Sequence, residues 1–280
     1  MGNDRYDRQV RLFGKEGQRR IAEARVVVIG AGGLSMPLIQ QLAYLGVLRY
    51  TVADSDVVSA SNLNRLVGAT IGDIDTPKVS VADRLICDIQ PTAQVTALPV
   101  DLPSEAIAEA IADATVVVGC FDRETPRLVA TDLCSTAGVP YVDLATEVVP
   151  DPSGPVFGGR IVVATDGTGC VSCLDVLDAG ELARERMTDE QRRLDDVVYG
   201  VERDALGGSG PSVVTLNSVV ASLAATEVMC LLTRLRPPAR QLAYRGDLGT
   251  VGRSRDAGRE SCPYCRRWRS AVRSRQRVAG

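Results

Sequence analysis

The first half of the chain alternates between short apolar runs and longer segments in which apolar residues recur at helical spacing. Arg25–Ile29 is a continuous run rich in β-branched residues, which is typical of a buried strand in a parallel sheet. The segment 34–45 has helical spacing and stops at Gly46, a residue type that commonly ends helices, and a second strand is predicted over Arg49–Ala53. This succession of strand, helix and strand predicts a βαβ unit.

The same alternation continues as far as residue 144. Strands that alternate with helices usually pair in parallel, so the pattern predicts an α/β fold with a Rossmann-like, mostly parallel sheet and helices on both faces. Further helices are predicted over 17–24, 78–89, 105–112 and 127–137, and further strands over 94–98, 115–119 and 141–144.

The pattern changes after Pro150. Residues 158–164 have the alternating pattern of a strand, although no helix is predicted directly before them. We therefore predict that this strand extends the sheet by antiparallel pairing. Residues 175–211 are polar, charged and glycine-rich toward their end, which predicts a long crossover with a helical part at 181–195. A helix rich in small apolar residues is predicted over 213–235.

Composition narrows the functional classes. The net charge of −3 does not predict nucleic-acid binding. No apolar run approaches the roughly 20 residues that span a bilayer. Residues 1–11 are charged rather than signal-like, so we expect a cytoplasmic protein without membrane attachment. The chain has no histidine, which excludes catalytic triads and acid–base mechanisms that depend on this residue.

A glycine turn follows the first predicted strand, at a junction where backbone N–H groups and the helix dipole favour a phosphate. Asp54 ends the second strand, where its carboxylate can accept hydrogen bonds from ribose hydroxyls. These features suit an NAD-dependent enzyme equally well. Arg65 and Lys78 add two cations, which favour a more anionic ligand such as ATP. The candidate phosphate-binding glycines are Gly30, Gly32 and Gly33.

Several short signatures accompany this turn. Residues 5–9 are R-Y-D-R-Q, residues 54–58 are D-S-D-V-V, and residues 61–65 are S-N-L-N-R. Lys78 and Asp122 follow at later positions. In this order and spacing the residues resemble the ThiF/MoeB/HesA family of adenylyltransferases, within the ubiquitin-activating-enzyme-like superfamily. The chain departs from the family pattern at Ser35, Met36, Leu66 and Arg123, the last beside Asp122.

The resemblance implies a role for each matched residue. In that family the first aspartate binds the ribose, an asparagine, an arginine and a lysine bind phosphates, and a later aspartate helps to place magnesium. An arginine near the N-terminus reaches the triphosphate bound by the partner subunit, which implies a homodimer. These roles fall on Asp54, Asn62, Arg65, Lys78, Asp122 and Arg8, of which the last four are the predicted catalytic residues, and Asp56 joins the nucleotide-binding candidates.

Four of the eight cysteines form two C-x-x-C pairs, and this spacing lets two thiolates share one tetrahedral zinc ion. Redox-active pairs or a chance pattern are the alternatives. The family carries its structural zinc at these places, so the resemblance implies a closed four-sulfur site that joins the C-terminal segment to the domain. The predicted ligands are Cys170, Cys173, Cys262 and Cys265, and the other cysteines, Cys87, Cys120, Cys134 and Cys230, lie in apolar contexts typical of buried thiols.

The implied reaction is ATP-dependent adenylation of a C-terminal carboxylate, with release of pyrophosphate. The implied substrate is a ubiquitin-like sulfur carrier protein that ends in glycine. The crossover contains no cysteine, whereas family members that pass their substrate on as a thioester or persulfide generally carry one there. The reaction is therefore expected to end at the acyl adenylate or to continue on a separate protein. The alternatives are activation of a ubiquitin-like modifier, activation of a peptide natural-product precursor, an inactive heterodimer partner, and an NAD-dependent oxidoreductase.

One domain is predicted, because open α/β domains of 280 residues are often undivided. Its predicted parts are an N-terminal helical arm (1–24), a nucleotide-binding half (25–150), a carrier-binding half (151–265) that contains the crossover and the zinc site, and a flexible basic tail (266–280).

Overall fold

All the strands that the structure describes belong to one sheet. The computed structural model describes residues 3–152, 154–188, 190–191, 211–254 and 257–278. The strands are β1 (Arg25–Ile29), β2 (Arg49–Ala53), β3 (Gln94–Leu98), β4 (Val116–Cys120), β5 (Tyr141–Val149), β6 (Val156–Ala164), β7 (Gln241–Arg245) and β8 (Thr250–Arg253). Their order across the sheet is β3-β2-β1-β4-β5-β6-β7-β8.

Helices cover both faces of this sheet, as the α/β pattern predicts. In the described part of the chain they are α1 (Asp7–Glu23), α2 (Ser35–Leu45), α3 (Lys78–Ile89), α4 (Glu105–Asp113), α5 (Glu124–Ala137), α6 (Ala179–Glu185), α7 (Val214–Thr233) and α8 (Pro263–Val278). Helices α1, α2, α3 and α7 contribute to the core on one face, and α4, α5 and α8 to the core on the other.

Strand β1 shows why its sequence is apolar throughout. Val26 and Val28 belong to the core on one face of the sheet, while Val27 and Ile29 belong to the core on the other. Successive side chains of a strand point to opposite faces, so a strand covered on both sides must be apolar at every position. Strands β3, β2, β1, β4 and β5 pair in parallel, and this parallel half confirms the predicted fold class.

The remaining strands pair antiparallel, beginning with β5 and β6 over the whole of both strands. The sequence predicts β6 but not β7 and β8. Strand β8 is exposed at every position, so it carries no apolar alternation by which sequence could identify it.

Helix α7 corrects the expectation that no apolar run approaches membrane-spanning length. It has 20 residues, and by length and composition alone it is long and apolar enough to cross a membrane. Half of its apolar stretch, however, is buried inside the protein. Its buried side chains pack against α1, α2, β5 and β6. It also contains the buried Glu227, which accepts hydrogen bonds from Arg236 at 2.6 and 2.8 Å. These contacts are those of a core helix.

The C-terminal segment differs from its prediction. The sequence predicts a flexible tail from residue 266, but this position lies inside α8. Trp268 is fully buried, and its indole N–H donates to the carbonyl oxygen of Val139 at 3.0 Å. The prediction is therefore wrong for this part of the tail, because the single tryptophan of the chain anchors the helix against α5.

The crossover is described only in part. Its helical portion, predicted over 181–195, is α6 over Ala179–Glu185. Asp178 begins this helix by accepting hydrogen bonds from the backbone N–H groups of Gly180 and Glu181. Residues 192–210, which include most of the remaining crossover, lie outside the described residues.

Candidate active site and metal centre

A cavity of about 980 Å³ opens where β1, β2 and β4 end. Parallel strands present their carboxyl ends at one edge of the sheet, so residues that follow different strands meet there. The cavity is also lined by residues of β5, β6 and the start of the crossover. Most of the predicted site residues line it, namely Gly30, Gly32, Gly33, Asp54, Asp56, Arg65, Lys78 and Asp122.

The glycine turn is required by close packing on one side and leaves space on the other. Gly30 has φ +95°, and a Cβ there would lie 2.4 Å from the carbonyl oxygen of Cys120. A Cβ on Gly33 would lie 2.9 Å from the side chains of Arg65 and Asn217. A Cβ on Gly32 would meet no described atom within 4 Å, so the backbone at this position faces open space in the cavity.

Asp54 links the glycine turn to the second strand. Its carboxylate accepts hydrogen bonds from the backbone N–H of Ala31 at 2.6 Å and of Asp56 at 2.8 Å. Burial raises the pKa of Asp54, and this effect outweighs the opposing influence of Lys78 and of the two N–H groups. A partly buried carboxylate with an elevated pKa at a cavity wall is typical of a binding or catalytic site.

The two predicted cations converge on the same cavity from different elements. Lys78 begins α3, and its ammonium group lies 2.5 Å from a carboxylate oxygen of Asp56. The Lys78 side chain is only 12% exposed, whereas that of Asp56 is 67% exposed. Arg65 donates to the carbonyl oxygen of Ser61 at 2.6 Å, and its methylene groups pack beside Gly33.

Two predicted site residues do not line the cavity. The Asn62 side chain accepts a hydrogen bond from the backbone N–H of Ser59 at 3.2 Å and thereby caps a short 3₁₀ helix, Ala60–Asn62. Arg8 is exposed near the start of α1. An arginine that acts on a partner's site is not expected to line the cavity of its own chain.

The structure adds a charged network that sequence reasoning did not identify. Asp143 on β5 is fully buried and accepts hydrogen bonds from Arg127 at 2.8 and 2.9 Å, from Arg160 at 2.7 Å and from the Tyr141 hydroxyl at 2.9 Å. Both arginines line the cavity. No spacing signal connects residues on α5, β5 and β6, although an aspartate inside an apolar strand could have been recognised as needing a partner.

The crossover also contacts the start of α5 through α6. The carboxylate of Glu185 accepts hydrogen bonds from the backbone N–H groups of Glu124 at 2.7 Å and Thr125 at 2.8 Å. It therefore caps α5, which begins two residues after Asp122. These hydrogen bonds hold the pKa of Glu185 below its usual value despite partial burial, which opposes them. Burial raises the pKa of the neighbouring Glu124.

The four predicted metal ligands lie together in the core on the face of the sheet away from α2, all buried, with every pair of sulfur atoms within 4.8 Å. Their sulfurs are separated by 3.6 Å for Cys170 and Cys262, 3.5 Å for Cys173 and Cys265, and 3.7 Å for Cys170 and Cys173. A disulfide would require about 2.05 Å. Tetrahedral zinc with bonds of about 2.3 Å places its sulfurs about 3.8 Å apart, so the cluster fits zinc.

Comparison with protein families and with curated proteins gives consistent results. The model of the ThiF family matches residues 6–263. The SAMP-activating enzyme E1 of Haloferax volcanii is 34% identical over 215 residues, which cover 69% of this chain and 78% of the relative. The sulfur carrier protein ThiS adenylyltransferase of Escherichia coli is 32% identical over 266 residues, which cover 93% and 94%. The molybdopterin-synthase adenylyltransferase of Salmonella typhimurium is 32% identical over 239 residues, which cover 84% of each chain.

Solved structures show the same fold at lower sequence identity. Escherichia coli MccB, in a crystal structure with AMPCPP and MccA, superposes with a TM-score of 0.73 at 18% identity, over 95% of this chain and 74% of MccB. PaaA superposes with a TM-score of 0.67 at 17% identity, over 92% of this chain and 76% of PaaA.

Proposed function

This chain belongs to the ThiF family, and from that premise we propose that it is an ATP-dependent adenylyltransferase that activates the C-terminal glycine of a ubiquitin-like sulfur carrier protein. The observation that carries the proposal is the convergence in one cavity of the glycine turn, the ribose-binding candidate Asp54, the cations Arg65 and Lys78, and Asp122. Relatives that share most of this chain are named adenylyltransferases.

The proposed reaction forms one bond and breaks one. A carboxylate oxygen of the carrier attacks the α-phosphorus of ATP, and the bond from that phosphorus to the bridging oxygen breaks. Pyrophosphate leaves with the electron pair, and the carrier becomes an acyl adenylate. Negative charge grows on the leaving oxygens, so fixed cations stabilise the transition state without a covalent nucleophile. Arg65 and Lys78 supply such charges at the cavity wall.

We assign the other predicted residues the following roles in ATP binding. The N–H groups of the glycine turn face phosphate, and Asp54 accepts hydrogen bonds from the ribose. Asp56 holds the Lys78 ammonium within reach of the nucleotide, and Asn62 releases its cap to contact phosphate when ATP binds. The segment 25–150 thus forms the nucleotide half and the segment 151–265 the carrier half of one domain.

We place the two metals at different sites. Asp122 lines the cavity and offers a carboxylate oxygen, and Mg²⁺ in such sites is bound by one or two carboxylates together with substrate phosphates. When bound, the ion would neutralise phosphate charge. Zinc bound by Cys170, Cys173, Cys262 and Cys265 would be structural, because four sulfurs leave no open position for substrate.

A homodimer is part of the proposal because we assign Arg8 to the partner's cavity, as the family resemblance implies. The test is to mix Arg8→Ala protein with Asp122→Ala protein and allow subunits to exchange. Half of the dimers would be mixed, and each mixed dimer would have one intact site out of two. Activity should therefore return to about one quarter of wild type. No recovery despite subunit exchange would place Arg8 outside the mechanism.

Activation of a peptide is the second candidate, and the fold comparison favours it specifically. The MccB structure that covers 95% of this chain contains MccA together with a nucleotide analogue. The same cavity and the same bond changes would serve a free peptide carboxylate. A ubiquitin-like modifier, as the relationship to an E1 enzyme suggests, would use the same chemistry.

We also propose a cytoplasmic location. None of the eight cysteines, all of which lie in the described part of the chain, forms a disulfide, and a reducing compartment keeps cysteines in this state.

The test of the proposed function is ATP–pyrophosphate exchange by the purified protein. Small proteins from the same genome that end in Gly-Gly are added one at a time, with Asp122→Ala protein as the blank. Exchange that depends on one such protein would support the proposal and identify the carrier. Exchange only with short peptides would favour the second candidate, and failure to bind ATP would contradict both.

A further inference from the structure

The network around Asp143 presents an arginine, rather than its buried aspartate, to the cavity. Two arginines, Arg127 and Arg160, share the single carboxylate of Asp143. Glu124 adds a second acid, with a carboxylate oxygen 3.9 Å from Arg127. Asp143 is fully buried, whereas the Arg160 side chain retains 20% exposure and lines the cavity. A ligand in the cavity therefore meets the cation of this network and not its anion.

Arg160 is also fixed in direction. It donates to Asp143 at 2.7 Å and to the carbonyl oxygen of Val176 at 3.0 Å. These bonds use two of the five N–H donors of a guanidinium group, and they hold the plane of the group against both β5 and the start of the crossover. A preoriented guanidinium loses little conformational freedom when it binds a carboxylate.

Arg127 is the buried arginine of the same network. Its side chain is 5% exposed, it donates to Asp143, Leu144 and Phe121, and its Nε–H has no hydrogen-bond partner within the described residues. The hydrogen bonds that Arg127 donates hold it beside Asp143, so that Asp143 positions Arg160 on a fixed support.

Arg160 lies in the part of the cavity that is formed by the proposed carrier half of the domain. Strands β4 and β5 lie between β1 and β6, so at about 4.8 Å per strand the backbone of β6 is roughly 14 Å from the strand that begins the glycine turn. Arg160 crosses part of that span, because its guanidinium contacts Asp143 on β5. It therefore lies beside the proposed nucleotide position rather than within it.

Resting on the proposed function, we propose that Arg160, positioned by Asp143 and Val176 and supported by Arg127, forms a carboxylate-binding subsite that holds the C-terminal carboxylate of the incoming polypeptide before adenylation. A triphosphate repels a carboxylate, and a fixed cation beside it offsets that repulsion. The acyl adenylate no longer carries the carboxylate charge, so the subsite favours binding of substrate over retention of product.

The test compares a free carboxylate with its uncharged analogue. The probe is a fluorescein-labelled synthetic peptide that ends in Gly-Gly, prepared as the free acid and as the C-terminal carboxamide. Both forms are titrated against the full chain with a non-hydrolysable ATP analogue present, and binding is followed by anisotropy. Wild type should bind the acid about tenfold to hundredfold more tightly, the range expected for a hydrogen bond to a charged group.

Arg160→Gln should reduce this preference to nearly one, mainly by weakening binding of the acid, and Arg160→Lys should retain part of it. Arg253→Gln is the matched control, since Arg253 lies exposed on β8 of the same sheet. A merely structural role for Arg160 would weaken both peptide forms equally. Thermal unfolding of each variant, together with its affinity for the ATP analogue, checks that the fold is intact.

The outcomes separate the subsite from the proposed function. An unchanged preference in Arg160→Gln, or no preference in wild type, would overturn the subsite while carrier-dependent ATP–pyrophosphate exchange by wild type upheld the function. Absence of both peptide binding and exchange would overturn the function and the subsite with it. If Arg160→Gln does not fold, Arg160→Lys decides the question, since a reduced but retained preference supports the subsite and an unchanged preference overturns it.

Discussion

Asp54 combines two opposing properties at the residue scale. Burial makes its ionised form less favourable and raises its pKa, yet the proposed contact with ribose is stronger when the acceptor is ionised. The folded state binds the Asp54 proton more tightly than the unfolded chain does. Its contribution to the free energy of unfolding therefore falls as pH rises from the usual aspartate pKa through the elevated one. The pH range in which ATP binding improves is thus the range in which this residue destabilises the fold.

This opposition predicts a pH effect on ATP affinity. As pH falls through the elevated pKa of Asp54, the carboxyl is protonated and ATP should bind more weakly, at a pH higher than an ordinary aspartate would give. Titration of ATP binding by calorimetry over a pH series measures the midpoint. Asp54→Asn should bind ATP weakly and lack this midpoint, because the titrating group is gone. An identical pH profile in that variant would exclude Asp54 as the source.

Lys78 permits a matched comparison, because the chain has only one other lysine, Lys15, which is exposed on α1. We expect Lys78→Gln to reduce carrier-dependent exchange by at least about 100-fold, since removal of one preorganised charge contact commonly has an effect of this size. Lys15→Gln should leave exchange unchanged. Equal activity of the two variants would show that Lys78 does not contact the reacting phosphates.

The sequence predicts those cavity residues that belong to short local signatures. Asp54, Arg65 and Lys78 stand at fixed distances from predicted strands and helices, so their convergence follows from the topology of a parallel sheet. The pairing of Arg160 with Asp143 could not be predicted in this way. It depends on the antiparallel register of β5 and β6, which the sequence does not specify residue by residue.

At the scale of elements, the segment between β2 and α3 is held by one buried acid. Asp73 accepts hydrogen bonds from the backbone N–H and the hydroxyl of Thr70 at 2.7 and 2.8 Å, and from Arg84 on α3 at 2.6 and 2.8 Å. These contacts lower the pKa of Asp73, and the hydrogen bonds from Arg84 have the largest effect. The segment carries Arg65, so the acid fixes a phosphate-binding candidate to the helix that begins with Lys78.

Asp73→Asn should therefore lower the melting temperature at neutral pH. A depressed pKa in the folded state stabilises the protein above the usual aspartate pKa of about 3.9, and this stabilisation is lost as pH falls through the folded value. The difference between wild type and variant should accordingly shrink in acid, as measured by thermal unfolding over a pH series. The exposed Asp88→Asn on the same helix is the control, and a constant difference across pH would contradict the account.

Other elements show where sequence reasoning succeeds and where it fails. Helix α3 and strand β2 have the bounds that apolar spacing predicts, because each buries a regular set of side chains. The sequence predicts a flexible tail over 266–280 because arginines dominate its composition, whereas much of this segment lies in α8. Its buried face depends on Trp268 and on Cys265, and so few apolar residues give a weak periodic signal.

At the scale of the whole molecule, the cysteine cluster joins parts of the chain that the sheet keeps apart. Cys170 and Cys173 follow β6, and the partners Cys262 and Cys265 lie 92 residues further along, at the start of α8. Helix α7 and the β7–β8 hairpin lie between the two pairs. A metal at this point would close that long loop and reduce the conformational freedom of the unfolded chain.

Metal analysis of the purified protein should therefore find one zinc per chain. Cys262→Ser together with Cys265→Ser should lower the melting temperature by more than roughly 5 °C, since 1 kcal/mol corresponds to about 2–4 °C in a protein near this size. ATP affinity should be retained, because the cluster packs on the opposite face of the sheet from α2. Cys87→Ser, which changes a thiol on α3, is the control. A metal-free wild type with the same melting temperature as the double variant would overturn the assignment.

The scarcity of lysine has a practical consequence for following this enzyme at work. One of its two lysine side chains, Lys78, lies 12% exposed beside the cavity, and the other, Lys15, is exposed on a distant helix. An acylating reagent read out by mass spectrometry would thus report on the cavity at a single peptide, with a second peptide as its internal standard. The ratio of the two labels would measure nucleotide occupancy directly in a crude extract, without purification or an engineered fluorophore.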